Sequence, residues 1–557
     1  MAIRGIRPTP DDLDRVRADP EVLPELVDDY LEDPLFGETI RDLAAELLLL
    51  RTDVLDQLPA IGPLRGRQLA AMHEATAESP LRLFEDVVVN DQPLTALVTA
   101  DWIWTNEVHS EIYGVPYDTD AGWRRSHWTD GRPAAGILSD SEMWRRFESA
   151  GSNFHRLRAN FIASALLCEA FDTRDIDGAS GVDISDEEEV ANAVMNTPAC
   201  INCHQALDPL AGYWWGFKKQ TKRFTVVKGY AQDCRTYNPS GESLVDTYVP
   251  GQYCYPLEHY TVADEGQWEA WSLRPPSYYG QPAADLVDVG QLMSEDPRFS
   301  QCMARTFYGY LTQTDRLAVP LELAAELQSV LLESDHSAKA LVKAVVLSDS
   351  FRATSLSDEL LADPALAEGV VPPAGLQTIR PEQYARTLEK LTGFRWVADA
   401  DEDRCWDAPV PGEGTRCWGP VDLATSDVFG FRAMSGGING YYVTAPTHTV
   451  TPLKEMVMAR YAAEAAAYVV PLDLAGETSP PRLLRLVGAL DTDESAIREQ
   501  IAVLHDRILA EDVGPDDPVV DATWELWRAT HERAGETETA WKVVVAALLR
   551  DPRMMFY

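Results

Sequence analysis

The chain has 557 residues, of which 45% are hydrophobic and 25% are charged, an ordinary composition for a globular protein. This length predicts two to four domains. The 89 acidic and 48 basic residues give a formal net charge of −41, which excludes nucleic-acid backbone binding as a main activity because like charges repel. So large a surplus is typical of a solvated acidic surface, and it would also steer a basic partner or bind cations.

The first part of the chain is predicted to be mainly helical. Apolar residues recur at helical spacing over 21–50, 65–77, 94–113 and 154–170. No apolar run reaches the roughly 18 residues that a membrane-spanning helix needs. We therefore expect an N-terminal helical region over residues 1–190 and no transmembrane segment.

The most informative pattern follows this region, where Cys200, two further residues and Cys203 lead directly into His204. Cys-x-x-Cys-His is the attachment signature of c-type haem. Two thiols at this spacing reach the two vinyl groups of one porphyrin, and the adjacent histidine becomes an axial ligand of the iron. A random chain with 8 Cys and 10 His would contain the pattern only about 0.002 times. The sequence therefore predicts one covalent haem c.

Two other chemistries use paired cysteines. A zinc site would need a second Cys-x-x-Cys or a spaced His pair to complete its tetrahedron, and the sequence contains neither. A redox dithiol usually begins a helix after a strand, and residues 196–199 do not have the pattern of a strand. A redox or structural disulfide and a metal site stay as alternatives.

Several residues near the motif are candidates for shaping the haem site. A metal-bound histidine usually donates its other ring N–H to an acceptor, and Asp208 or a backbone carbonyl is suitably close to His204. Pro209 is expected to hold Asp208 extended and to turn the chain. Trp214 and Trp215 are expected to cover a porphyrin face, although large aromatic residues are equally common in an ordinary core.

The sixth iron ligand is not specified by the motif. His155 lies in a polar stretch that could face a propionate, and Met434 precedes a flexible Ser-Gly-Gly. These two are the preferred candidates. Other side chains of suitable chemistry are Met195, Met293, Met303 and His259. A Met ligand is typical of a high-potential electron carrier, and an open position would permit ligand chemistry.

The remaining chain is predicted to be helical apart from one region. Short strands at 224–227 and 244–248 predict a small β excursion beside the haem segment. Helical patterns then cover 283–293, 298–310, 321–332, 337–347, 381–391, 445–470, 492–509, 521–533 and 539–549. The expected fold is mainly α, with a haem segment at 191–355, a Pro-containing linker at 356–380 and a C-terminal helical domain at 381–557.

Six cysteines remain outside the motif, an even number that suggests disulfides in an exported protein. Cys234 and Cys254 bracket one polar loop, and Cys405 and Cys417 bracket another. Cys168 and Cys302 are then left as a third pair. Buried free thiols are the alternative for each pair.

Four stretches resemble the planctomycete-type cytochrome c proteins, an exported family of unknown function that also occurs in myxobacteria. They are residues 93–116, the block from Cys200 to Leu210, residues 299–316 and residues 341–352. The resemblance covers roughly residues 20–355. It implies one haem c and, from two recurring cysteines, supports the Cys168–Cys302 pair. Residues 211–217 lack the acidic residues usual at this point in the family, and the family supplies no substrate.

These observations lead to three functional hypotheses. The first is a monohaem c-type cytochrome that transfers single electrons to a redox partner protein. The acidic surface of the chain favours a basic partner. The second is a haem oxidoreductase or peroxidase with an open distal site, and the third is an envelope binding or assembly protein with structural haem. Because c-type haem is attached outside the cytoplasmic membrane, we expect a periplasmic or cell-surface location. The N-terminus shows no signal peptide, so the export signal is expected to be absent from this sequence.

Overall fold

The computed structural model describes most of the chain. The described residues are 1–52, 58, 60, 62–118, 122–147, 155–174, 182–183, 185–217, 255–256, 259–271, 274–353, 355, 373–398, 405–407 and 415–557. Within these ranges the fold is mainly α, which confirms the predicted fold class, and the strands pair only into two-stranded sheets. No helix in this part of the chain is long and apolar enough to cross a membrane.

The helices before the predicted linker vary from single turns to more than five turns. In chain order they are α1 (Pro10–Ala18), α2 (Leu23–Leu31), α3 (Pro34–Leu48), α4 (Leu69–Val89), α5 (Ala96–Thr99), α6 (Glu107–Tyr113), α7 (Glu142–Arg145), α8 (Arg156–Leu167), α9 (Glu187–Asn196), α10 (Pro198–Ala211), α11 (Trp268–Trp271), α12 (Leu286–Glu295), α13 (Pro297–Thr312), α14 (Leu321–Glu333), α15 (Ala338–Leu347) and α16 (Asp349–Arg352).

The helices after the linker form a second group. They are α17 (Pro381–Thr392), α18 (Phe431–Met434), α19 (Pro452–Leu474), α20 (Glu494–Leu504), α21 (Pro518–Ala534) and α22 (Thr537–Leu549). The antiparallel strand pairs are β1 (Ile103–Thr105) with β2 (Arg124–Ser126), β3 (Val397–Ala398) with β6 (Val421–Asp422), and β4 (Cys405–Asp407) with β5 (Thr415–Cys417).

Many helices begin at an Asp or Thr followed by proline. The side chains of Asp33, Asp296 and Asp517 each accept the backbone N–H two residues later, at the starts of α3, α13 and α21. Proline in the next position has no N–H to leave unsatisfied, and its fixed φ suits the first helical turn. At α13 this signal lies one residue before the predicted start at 298, whereas the single helical stretch predicted over 21–50 is divided by Asp33 and Pro34 into α2 and α3.

The predicted continuous helix over 94–113 is wrong. The structure contains α5, then β1, then α6 in this stretch. Ile103–Thr105 are residues that favour strands, and they pair with Arg124–Ser126 in the register Ile103 opposite Ser126. Asn106 then accepts the backbone N–H of His109 and starts α6.

Two large clusters of buried apolar side chains form the interior. The first draws on residues between Ala2 and Val346, and the second on residues between Ile379 and Met555. The change from one cluster to the other falls at the predicted linker. Residues 356–372 of that linker lie outside the described part, and the four-segment division of the chain stays a prediction.

A disulfide joins the end of α8 to α13. Cys168 and Cys302 are bonded with their Cα atoms 5.3 Å apart, across a sequence separation of 134 residues. This is the third pair named from the sequence. Cys405 and Cys417 lie directly opposite each other in the β4–β5 pair, but their side chains lie outside the described residues. So do Cys234, Cys254 and the predicted strands at 224–227 and 244–248.

We expect the double substitution Cys168→Ser, Cys302→Ser to lower the free energy of unfolding by about 4 kcal/mol, because the closed loop is long and its loss frees the unfolded chain. Urea unfolding followed by circular dichroism measures the change. Reduction of the unsubstituted protein should lower its free energy of unfolding by at least this amount and should affect the double variant less. Equal stability of the oxidised and reduced protein would contradict the prediction.

Candidate functional site

The predicted attachment motif lies on one face of α10. The helix begins at Pro198, and Cys200, Cys203 and His204 follow within its first two turns. Positions separated by three and four residues share a helix face. Both thiols and the imidazole therefore project to the same side, as attachment and axial ligation of one group require.

His204 is held by a carboxylate one helical turn further on. Its Nδ1 lies 2.8 Å from Oδ1 of Asp208. The Asp208 side chain is buried, whereas the His204 side chain keeps 23% of its surface exposed. A carboxylate that accepts from Nδ1 fixes the tautomer and orients the ring, so that Nε2 is the nitrogen left for a metal.

Two arginines fix Asp208 from other parts of the chain. Arg156, at the start of α8, places its Nε 2.6 Å from Asp208 Oδ1, and a terminal nitrogen of Arg274 lies 3.4 Å from Oδ2. Arg274 also donates to the carbonyl of Val194 in α9. Burial alone would raise the pKa of Asp208, but the hydrogen bonds from His204 and Arg156 lower it below its ordinary value. Asp208 is therefore an ionised acceptor for His204.

The expected sharp turn at Pro209 is not present. Pro209 lies inside α10, which continues to Ala211. Proline removes the hydrogen bond that an N–H at this position would donate to the carbonyl of Gln205, but α10 ends only two residues later, so the disturbance is confined to its last turn. The continued helix is what brings Asp208 one turn after His204.

The two motif cysteines are free thiols in this structure. Cys203 is buried and its Sγ lies 3.5 Å from the carbonyl oxygen of Phe171, while Cys200 is partly buried. Among the described residues, no three His, Cys, Asp or Glu side chains converge as a directly ligated metal site would require. Two anchoring thiols and one ligating nitrogen fit haem c better than zinc.

The paired tryptophans after α10 are both buried. Trp214 donates from Nε1 to the carbonyl of Leu138 and packs its ring 5.2 Å from that of Trp144. The ring of Trp215 lies 5.1 Å from that of His155. Trp214 thus belongs to the first core, and the role of both rings as a haem wall stays a prediction.

The candidates for a sixth ligand lie in different surroundings. His155 is buried and immediately precedes Arg156, so it lies beside the Asp208 network. Met434 ends α18 and packs against the second core, whereas Cys203 and Leu207 of α10 belong to the first. The His155 ring contacts Trp215, four residues after the end of α10, whereas Met434 lies with the other half of the chain.

Sequence reasoning identified Asp208 but missed its two arginine partners. Arg156 directly follows His155 in the polar stretch considered above, so the sequence did indicate a charged residue that could reach the site. Arg274 is 66 residues from Asp208, and no local pattern marks it.

In comparisons with protein-family models, with curated proteins and with solved structures, nothing matches this chain.

Replacing Asp208 with alanine removes the carboxylate that offsets the charges of Arg156 and Arg274. We expect a loss of about 3 kcal/mol in the free energy of unfolding, because two largely buried guanidinium groups lose a charged partner. Urea unfolding measures the loss. Glu188→Ala, which removes an exposed carboxylate from the first turn of α9, should leave the unfolding midpoint nearly unchanged, and an equal effect of both substitutions would contradict the assignment.

Proposed function

We propose that this chain is a monohaem c-type cytochrome that transfers single electrons in the periplasm or at the cell surface. The observation that carries the proposal is the alignment of Cys200, Cys203 and His204 on one face of α10, with His204 oriented by a buried carboxylate. The resemblance to planctomycete-type cytochrome c proteins supports the same assignment.

Each motif residue has a defined task in this proposal. The thiols of Cys200 and Cys203 would each hold the porphyrin through one thioether bond, formed by addition of S–H across a vinyl group. His204 Nε2 would ligate the iron, while Asp208 accepts from Nδ1 and raises the basicity of the ring. Once attached, the haem supplies a one-electron Fe(III)/Fe(II) couple.

Arg156 and Arg274 help to keep Asp208 ionised in a chain whose net charge is strongly negative. Asp208 stays ionised because Arg156 and His204 donate to it, and Arg274 adds a second positive charge. A carboxylate held in this way strengthens electron donation by the imidazole and favours the oxidised iron. The net charge of −41 would accelerate association with a basic redox partner.

Covalent attachment provides the first test. The protein is produced with a c-type haem maturation system, denatured and extracted with acidified solvent, and its remaining haem is measured by the pyridine haemochrome spectrum. We expect the unsubstituted protein to keep one haem per chain and Cys200→Ala, Cys203→Ala to keep none.

The matched control for this test is Cys168→Ser, Cys302→Ser, which also removes two cysteines but leaves the motif intact. It should keep covalent haem. If the motif double variant retained covalent haem, or if the unsubstituted protein attached none, the proposal would be wrong.

The coordination of the iron separates electron transfer from haem catalysis. We expect a low-spin spectrum in both oxidation states and no change on adding carbon monoxide, because an electron carrier keeps both axial positions filled. His155→Ala should produce a high-spin form that binds carbon monoxide if His155 is the sixth ligand, and Met434→Ala should not. Ready carbon monoxide binding by the unsubstituted protein would favour the oxidoreductase hypothesis.

A further inference from the structure

A second potential site lies between the two cores, and none of the motif residues lines it. A cavity of about 400 Å³, open to solvent on one side, is lined mainly by α3 and α4 of the first half and by α17 and the segment 420–432 of the second. This volume is within the range of small-molecule sites, and such sites are common where two structural units meet. Nothing in the haem proposal uses this cavity.

Small residues on the helix faces keep the space open. Ala70 and Ala77 of α4 and Ala385 of α17 line the cavity, and charged residues occupy the positions beside them on the same faces. A helix packed between two cores ordinarily turns an apolar face inwards. Here the faces that line the cavity have small side chains at their centres and charged side chains around them, as a site for a polar ligand would require.

The arginines of the cavity are already bound to protein acceptors. Arg41 and Arg51 both pair with Glu78, at 3.1 and 2.7 Å, and Arg51 also pairs with Asp42 at 2.8 Å. Although burial opposes it, these two guanidinium groups lower the pKa of Glu78 to about 2. Arg386, from the other half of the chain, pairs with Asp42 and, at 3.5 Å, with Glu38.

The surplus charge in the cavity is negative. Its lining contains eight carboxylates and five guanidinium groups. Within the described part of the chain, Glu74 of α4 and Glu382 of α17 make no ion pair or hydrogen bond through their carboxylates. Glu74 is exposed to solvent, but the protein around its carboxyl and the neighbouring carboxylate of Glu78 raise its pKa, while Arg82 opposes the shift. A cation bound between α4 and α17 would relieve the repulsion between the carboxylates of Glu74 and Glu78.

We propose that this cavity binds a small organic cation whose amine or guanidinium N–H groups are accepted by the carboxylates of Glu74 and Glu382. The ligand would contact helices from both halves of the chain at once. The engaged arginines disfavour an anionic ligand, because an anion would have to displace a protein carboxylate from its guanidinium partner.

Isothermal titration calorimetry of the full chain with spermidine, at about 0.15 M salt to screen the long-range field, tests the proposal. We expect saturable binding at one site per chain. Glu74→Gln and Glu382→Gln should each weaken it at least about tenfold, the loss expected for one charge-assisted hydrogen bond. Both positions reach the cavity surface, and circular dichroism before titration verifies that each variant is folded.

The matched control is Glu326→Gln, which removes one exposed carboxylate from α14, outside the cavity. It should bind spermidine as tightly as the unsubstituted protein. A titration with Mg²⁺ measures general attraction of cations by the acidic chain, and a titration with citrate measures binding of an anion by the arginines. The proposal is wrong if spermidine binding does not saturate, if Glu326→Gln weakens it as much as Glu74→Gln, or if citrate binds in its place.

Discussion

The buried carboxylate of Asp208 connects the parts of the chain that meet around the motif. It accepts from His204 on its own helix, from Arg156 at the start of α8 and from Arg274 in the segment before α12, while Arg274 also contacts α9. Removing such a carboxylate from water is costly unless several donors replace the lost hydration. The three elements must therefore occupy their observed positions together, and the orientation of the His204 ring follows from that requirement.

The junction between the two halves uses the same kind of interaction on a larger scale. Arg386 of α17 pairs with acids of α3, and the buried Arg380 donates to Glu46 at 3.0 Å. Buried ion pairs contribute less net stability than apolar packing, but their geometry permits few alternatives. Charged contacts at this boundary therefore specify how the halves fit, while each half obtains its stability from its own apolar core.

The accuracy of the sequence predictions depended on how local their causes were. The stretch 381–391 became α17 almost without change, because a proline at its start and Gly393 after its end define it locally. The prediction of one helix over 94–113 was wrong because β1 depends on a partner strand about twenty residues away. Asp208 was identified by its proximity to His204, but Arg274 reaches it only through the fold. The cavity, made by faces of helices from both halves, has no local sequence signal.

The bond between Cys168 and Cys302 has a topological consequence for the motif. It closes a covalent ring that includes α9, α10 and every residue between the two sulfur atoms. A protease that cut the backbone once within this ring would release no fragment, because both new ends would stay joined through sulfur. Cys200, Cys203, His204 and Asp208, together with Arg274, would then remain in one covalent molecule until the disulfide was reduced.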